Sequence, residues 1–129
     1  MSPFSRTLGR IVFYRLPVII FCTLIFWQSS YPGVVSGSSF PHADKVLHFG
    51  GYAFLAILTA ISLKEGKPFW SPLKIKIVTI LFACFYGLSD EVHQAFVAAR
   101  SASVYDFIAD CAGSILGCLF YMKFLSRHK

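Results

Sequence analysis

At 129 residues the chain has room for a single domain, 1–129, and 56% of it is hydrophobic while only 14% is charged. A mean hydropathy of +0.64 excludes an ordinary soluble globular domain. The net charge of +6 comes from short basic clusters beside apolar runs, a pattern of membrane topology signals and anionic headgroup contacts, and no nucleic-acid partner is expected.

Four apolar segments follow in chain order: residues 11–28, 46–63, 75–96 and 106–125. Each is about 20 residues long, enough for a helix to cross a hydrocarbon core of about 30 Å. Arg6, Arg10 and Arg15 lead the first segment, as in a signal peptide. The small residues near Ser36 and Ser38 make a poor cleavage site, so an uncleaved helix is expected, with Arg15 snorkelling toward the cytoplasm. The connection after it carries Pro32, Gly33, Gly37 and Pro41, which suits an irregular path. Trp27, Tyr31 and Trp70 lie at segment ends, where aromatic belts form. Cys22, Cys84, Cys111 and Cys118 have no metal-ligand spacing and read as small hydrophobes in helix packing.

The fold expected is therefore all-α: a polytopic four-helix membrane bundle in a lipid bilayer. Four crossings put the N-terminus, the 64–74 connection and the C-terminus on one side. That side holds ten of the twelve basic residues: Arg6, Arg10, Arg15, Lys64, Lys67, Lys74, Lys76, Lys123, Arg127 and Lys129. The positive-inside rule makes both termini cytoplasmic. Only Lys45 and Arg100 fall outside.

Five of the six acids, Asp44, Asp90, Glu91, Asp106 and Asp110, sit at or inside segment ends. A charge near the bilayer centre costs roughly 2.5–3.5 kcal/mol on insertion scales, so such a set reads as a site. In this topology all five, with Lys45, His48, Tyr52, His93, Gln94 and Arg100, reach one depth near the extracytoplasmic surface. Asp44, His48 and Tyr52 are four apart and share a helix face, as do Asp90 with Gln94 and Asp106 with Asp110. His93 reads as a packing or interfacial histidine, and His42 and His128 as exposed ones without a role. Gly113 and Gly117, extended by Ala109, permit close helix approach, within the bundle or between subunits of a homo-oligomer.

The stretches Asp44-Lys45-Val46-Leu47-His48-Phe49-Gly50-Gly51-Tyr52 and Asp90-Glu91-Val92-His93-Gln94-Ala95-Phe96 resemble those of the VanZ-like membrane proteins. Arg100, Ser103, Asp106 and the Gly113–Gly117 stretch follow at matching spacing, and the resemblance spans roughly residues 15–122. Two positions depart from it. Ala98-Ala99 stands where the family commonly has Pro-Gly, and Asp110 where it often has Asn. The resemblance implies a bacterial envelope protein of the cytoplasmic (inner) membrane. It also implies low-level glycopeptide resistance, to drugs such as teicoplanin, through reduced drug binding at the cell surface.

Three functional readings follow. In the first, the protein binds or modifies an anionic lipid-linked or cell-wall-precursor substrate at the outer leaflet. Asp44, His48, Asp90, Glu91 and Asp106 then form the reactive centre, with His48 and a protonated carboxyl as base and acid. Lys45, Tyr52, Gln94, Arg100 and Asp110 hold the substrate, Arg100 by its phosphate. In the second, the polar cluster of a non-enzymatic scaffold joins helices and recruits partners. In the third, it belongs to a small cation or proton pathway. No nucleophile elbow or phosphate loop names a reaction, so whether the chain is an enzyme stays open. Carboxylates and an imidazole on converging helices also suit a divalent metal such as zinc, manganese or magnesium.

Overall fold

The computed structural model describes residues 2–31 and 40–127. The expectations for Pro32, Gly33, Ser36, Gly37, Ser38, His128 and Lys129 lie outside the described residues. The protein is all-helical: α1 (Pro3–Ser29), α2 (Ala43–Gly66), α3 (Pro72–Gln94) and α4 (Val104–Phe120), the last continuing into a π-helical turn, Tyr121–Leu125. All four helices are long and apolar enough to cross a membrane. No strand occurs among the described residues.

Helix starts lie outside the apolar runs because caps, rather than hydropathy, decide them. α1 starts at Pro3, ahead of residue 11, where the Ser2 side chain accepts from the Ser5 amide at 3.1 Å. α3 starts at Pro72 in the same way, with Ser71 accepting from Lys74 N at 3.2 Å. Both pair a serine N-cap with proline at the first helical position, where its missing N–H costs nothing. Ser103 caps α4 by accepting from Asp106 N at 3.4 Å. At its far end α3 stops at Gln94, short of residue 96, as Phe96 and Val97 turn to bond the carbonyls of His93 and Gln94.

The most extensive helix contact is between α2 and α4. Two glycines allow it. A Cβ at Gly113 would collide with the backbone carbonyl of Phe49, and one at Gly117 with that of Ala53. Small residues at this spacing let two backbones meet, which drives helix association where lipid supplies no hydrophobic force. The apolar core lies beside this seam: Tyr52, Leu55, Ala56, Ala83 and Cys118 are buried, and Val18, Phe21, Cys22, Ile25, Ile80, Tyr86 and Met122 pack around them. The outer surface is rich in large apolar side chains, among them Ile19, Phe85, Ile108 and Leu116. α1 is the most peripheral helix, with only its last residue, Ser29, buried.

α1 and α3 run one way, α2 and α4 the other. The starts of α2 and α4 therefore meet the ends of α1 and α3 at one end of the bundle. At the opposite end the Arg10 guanidinium donates to the Glu65 carbonyl, and Arg15 reaches Gly66, so Arg15 extends toward that surface. Trp70 sits there between Lys67 and Lys74, whose ammonium groups lie 5.9 and 4.4 Å from its ring.

The seam yields a stability prediction. Gly117→Val forces a branched side chain onto the α2 backbone, and overpacking of this kind costs about 1–3 kcal/mol or more. Its unfolding midpoint in detergent should drop clearly below that of the Gly9→Val protein, because Gly9 has open space around it. Equal midpoints would mean that α2 and α4 do not meet at this register.

Candidate functional site

At the shared end of the helices His48 is the hub. It sits on the α2 face that turns toward α4, one residue before the Phe49 carbonyl on which Gly113 rests. This register sets Asp106 and Asp110, one and two turns up α4, around the imidazole. His48 Nδ1 lies 2.8 Å from Asp110 Oδ1 and 3.7 Å from Glu91 Oε1, and its Nε2 lies 3.8 Å from Asp106 Oδ2. Only the first is a hydrogen bond. Asp110 is fully buried, and its carboxylate has room because residue 87 on α3 is glycine, where a Cβ would sit 3.0 Å from Asp110 Oδ2.

Asp90 organises a second network. Its Oδ1 accepts from the Ser29 hydroxyl at the end of α1. Its Oδ2 accepts from the Tyr52 hydroxyl at 3.2 Å and from Gln94 Nε2 at 3.4 Å. Gln94 also donates to Ser29 Oγ at 3.3 Å. One carboxylate thereby ties α1, α2 and α3 together, with Asp90, Tyr52, Gln94 and Ser29 all buried. Glu91 turns to the other side, where its Oε2 accepts from the Ser103 amide at 2.9 Å.

Lys45 bridges Asp44 at 2.9 Å and Asp106 at 3.2 Å. Asp90, Glu91 and Asp110 have no lysine or arginine partner among the described residues. Buried carboxylates without a cation are costly, so the cluster holds an excess of acid over base that its fold does not neutralise.

A cavity of about 760 Å³ opens at this end. Phe21, Leu24, Ile25 and Leu47 give it an apolar wall, while Asp44, His48, Tyr52, Asp90, Gln94 and Asp106 line its polar side. Arg100 and His42 also face it. Lys45, Glu91 and Asp110 stand behind the lining. Arg100 does not neutralise the acids: among the described residues its side chain takes part in no ion pair, and Lys45 alone does that work. Arg100 follows Ala99, whose φ of 62° is left-handed. A glycine adopts that region at no steric cost, whereas alanine is strained there by roughly 1–2 kcal/mol. The departure from Pro-Gly at positions 98 and 99 thus falls on the residue whose backbone asks for glycine.

Every residue expected at the site lies at this end: Asp44, Lys45, His48, Tyr52, Asp90, Glu91, Gln94, Arg100, Asp106 and Asp110. Their depth agrees, but their partners were not all foreseen. Ser29, the Ser103 amide and Gly87 were missed. The run Gln28-Ser29-Ser30 at the end of the first segment was the signal available for Ser29. The Ser103 and Gly87 contacts depend on packing across helices, which leaves no trace in local pattern. His93 packs as expected, stacked on Phe26 and 3.0 Å from Ser30 Oγ.

A family model described as VanZ/LLP1 matches residues 11–126. The chain belongs to the VanZ/LLP1 family and is a multi-pass envelope membrane protein. No curated protein and no solved structure matches it.

The role of Asp110 is testable. Position 110 offers His48 an acceptor oxygen, which an amide supplies as well as a carboxylate. Asp110→Asn should therefore unfold within about 1 kcal/mol of the parent in detergent, whereas Asp110→Leu, which strips His48 of its acceptor, should lose about 1–3 kcal/mol. Equal losses in both would assign the contact to charge.

Proposed function

We propose that the protein binds an anionic lipid-linked envelope precursor from the outer leaflet, with its headgroup at the His48 end and its chain along the apolar wall. The observation that carries this reading is the cavity itself, which joins an apolar wall to a guanidinium without a protein partner among the described residues. Arg100 offers a fork of donors suited to two phosphate oxygens at once. His42 also lines the cavity, and Phe21, Leu24, Ile25 and Leu47 suit a hydrocarbon chain.

The orientation belongs to the same proposal. The end bearing Arg6, Arg10, Arg15, Lys64, Lys67, Lys74, Lys76, Lys123 and Arg127 faces the cytoplasm, and the cavity faces outward, as the positive-inside rule requires. In a bacterial inner membrane that depth is where lipid-linked cell-wall precursors carry their phosphates. A protein that holds or alters them changes what a glycopeptide antibiotic meets at the surface.

Modification adds a demand that the cluster can meet. With its Nδ1–H given to Asp110, a neutral His48 keeps the Nε2 lone pair for a proton, the arrangement of a general base with an orienting carboxylate. Asp44, Asp90, Glu91 and Asp106 supply acids and electrostatic stabilisation around it.

One observation favours the scaffold reading instead. The Asp90 network of Ser29, Tyr52 and Gln94 links three helices, as structural glue would. The ion-pathway reading has less behind it, because Glu65 is the single acid toward the opposite end.

Two measurements test the proposal. Native mass spectrometry of the protein with equal amounts of polyprenyl phosphate and phosphatidylcholine should retain the phosphate lipid. Arg100→Ala should weaken that retention about tenfold, since a charged hydrogen bond is worth roughly 1.5–3 kcal/mol. Equal retention of both lipids, or an unaffected Arg100→Ala protein, removes the proposal. A reporter fused at Trp70 should be active only in the cytoplasm, and activity outside would invert the orientation.

A further inference from the structure

We propose that His48, Asp90 and Glu91 form a binding site for one divalent transition-metal cation of the manganese or zinc class. Each of the three offers a donor atom, one imidazole nitrogen and two carboxylate oxygens, and these atoms all lie within 4.8 Å of one another. Two ligands on opposite sides of such an ion stand about 4.2 Å apart, given bonds near 2.1 Å. Side-chain adjustments of under about 1 Å therefore bring the three donors to bonding distance.

Clustered acids alone do not make a metal site, and a separate observation points to a ligand. Glu91 is 5% exposed, and its Oε1 has no hydrogen-bond partner. The other oxygen, Oε2, is fixed by the Ser103 amide, which leaves Oε1 directed at His48, 3.7 Å from Nδ1. An unpaired buried carboxylate oxygen costs free energy that a cation would return.

The surroundings fit the same assignment. A ligating imidazole normally gives its other N–H to a carboxylate, which fixes the ring; with Nδ1–H given to Asp110 at 2.8 Å, Nε2 is the nitrogen left for the ion. Asp90 is held in place by Ser29, Tyr52 and Gln94. Among the described residues Lys45 is the only lysine or arginine paired with these acids, and it is engaged by Asp44 and Asp106, so Asp90, Glu91 and Asp110 have no such partner. Mixed nitrogen and oxygen donors suit manganese and zinc better than a set of oxygens alone, which suits magnesium or calcium. Three protein ligands leave coordination positions open, as in catalytic rather than structural sites. His48 and Asp90 line the cavity, so those positions face it.

Cation binding is measured without lipid and does not rest on the lipid reading; an ion on His48 takes the lone pair that the metal-free ring would offer a proton. Full-length protein in detergent, stripped with chelator, is titrated with Mn²⁺ and Zn²⁺ by calorimetry. Its thermal midpoint is followed with and without each ion, since a ligand that binds only the folded state raises the midpoint. The expected result is one Mn²⁺ or Zn²⁺ per chain with a raised midpoint. Binding should weaken at least tenfold, and the midpoint shift vanish, in Glu91→Gln and in His48→Ala. Arg100→Ala should bind the ion as the parent does. Glu91→Gln keeps the size of the side chain, and its chelator-treated midpoint reports that it is folded. The proposal fails if the parent binds neither ion, or if folded Glu91→Gln binds as tightly as the parent. Loss of lipid retention in Arg100→Ala with cation binding intact separates the two sites of action.

Discussion

The contact between Gly113 and Gly117 of α4 and the carbonyls of Phe49 and Ala53 on α2 fixes everything else in this molecule. In hydrocarbon no water satisfies stray polar groups, and helices associate through close packing and the bonds they share. This seam sets the register in which Asp106 and Asp110 flank His48. Tyr52, one turn further along α2, then reaches Asp90 on α3. A slide of one turn along the seam would part His48 from Asp110 and leave that buried carboxylate without its donor.

Given this register, the ends of α1 and α3 close the site. Ser29 and Gln94 secure Asp90, and the Ser103 cap of α4 serves twice, its side chain holding the helix start and its amide holding Glu91. The connection before α4 brings Arg100 to the cavity at the expense of a left-handed Ala99. Strained backbone beside a cavity-facing cation that forms no ion pair among the described residues is more easily understood as presentation of a group to a ligand than as packing.

Much of this was legible in the sequence because a bilayer limits the options. Apolar runs of spanning length gave four helices, and helical spacing put Asp44, His48 and Tyr52 on one face. The division of basic residues set every acid except Glu65 at one depth. Helix starts were less legible, since Ser2-Pro3 and Ser71-Pro72 act through local caps that hydropathy ignores. The pairings were the least legible: that Asp110 rather than Asp106 bonds His48, and that Arg100 leaves the acids to Lys45, depends on rotamers and on the room made by Gly87. Even the motif resemblance bore physical content, since its departure at Ala98-Ala99 includes the left-handed residue directly ahead of Arg100.

The central claim is that the buried acids are retained for binding and chemistry rather than for holding the helices together. Groups kept for function commonly sacrifice stability, whereas breaking a structural buried pair costs about 3–5 kcal/mol. Asp90 discriminates best, because it has the most bonds and Asn matches its shape. Reversible unfolding of the Asp90→Asn protein in mixed micelles, read beside its binding of Mn²⁺ or Zn²⁺, decides the matter. The account predicts stability equal to or above the parent's together with lost cation binding. A fall of about 3–5 kcal/mol in stability, with cation binding persisting in the molecules still folded, would contradict it.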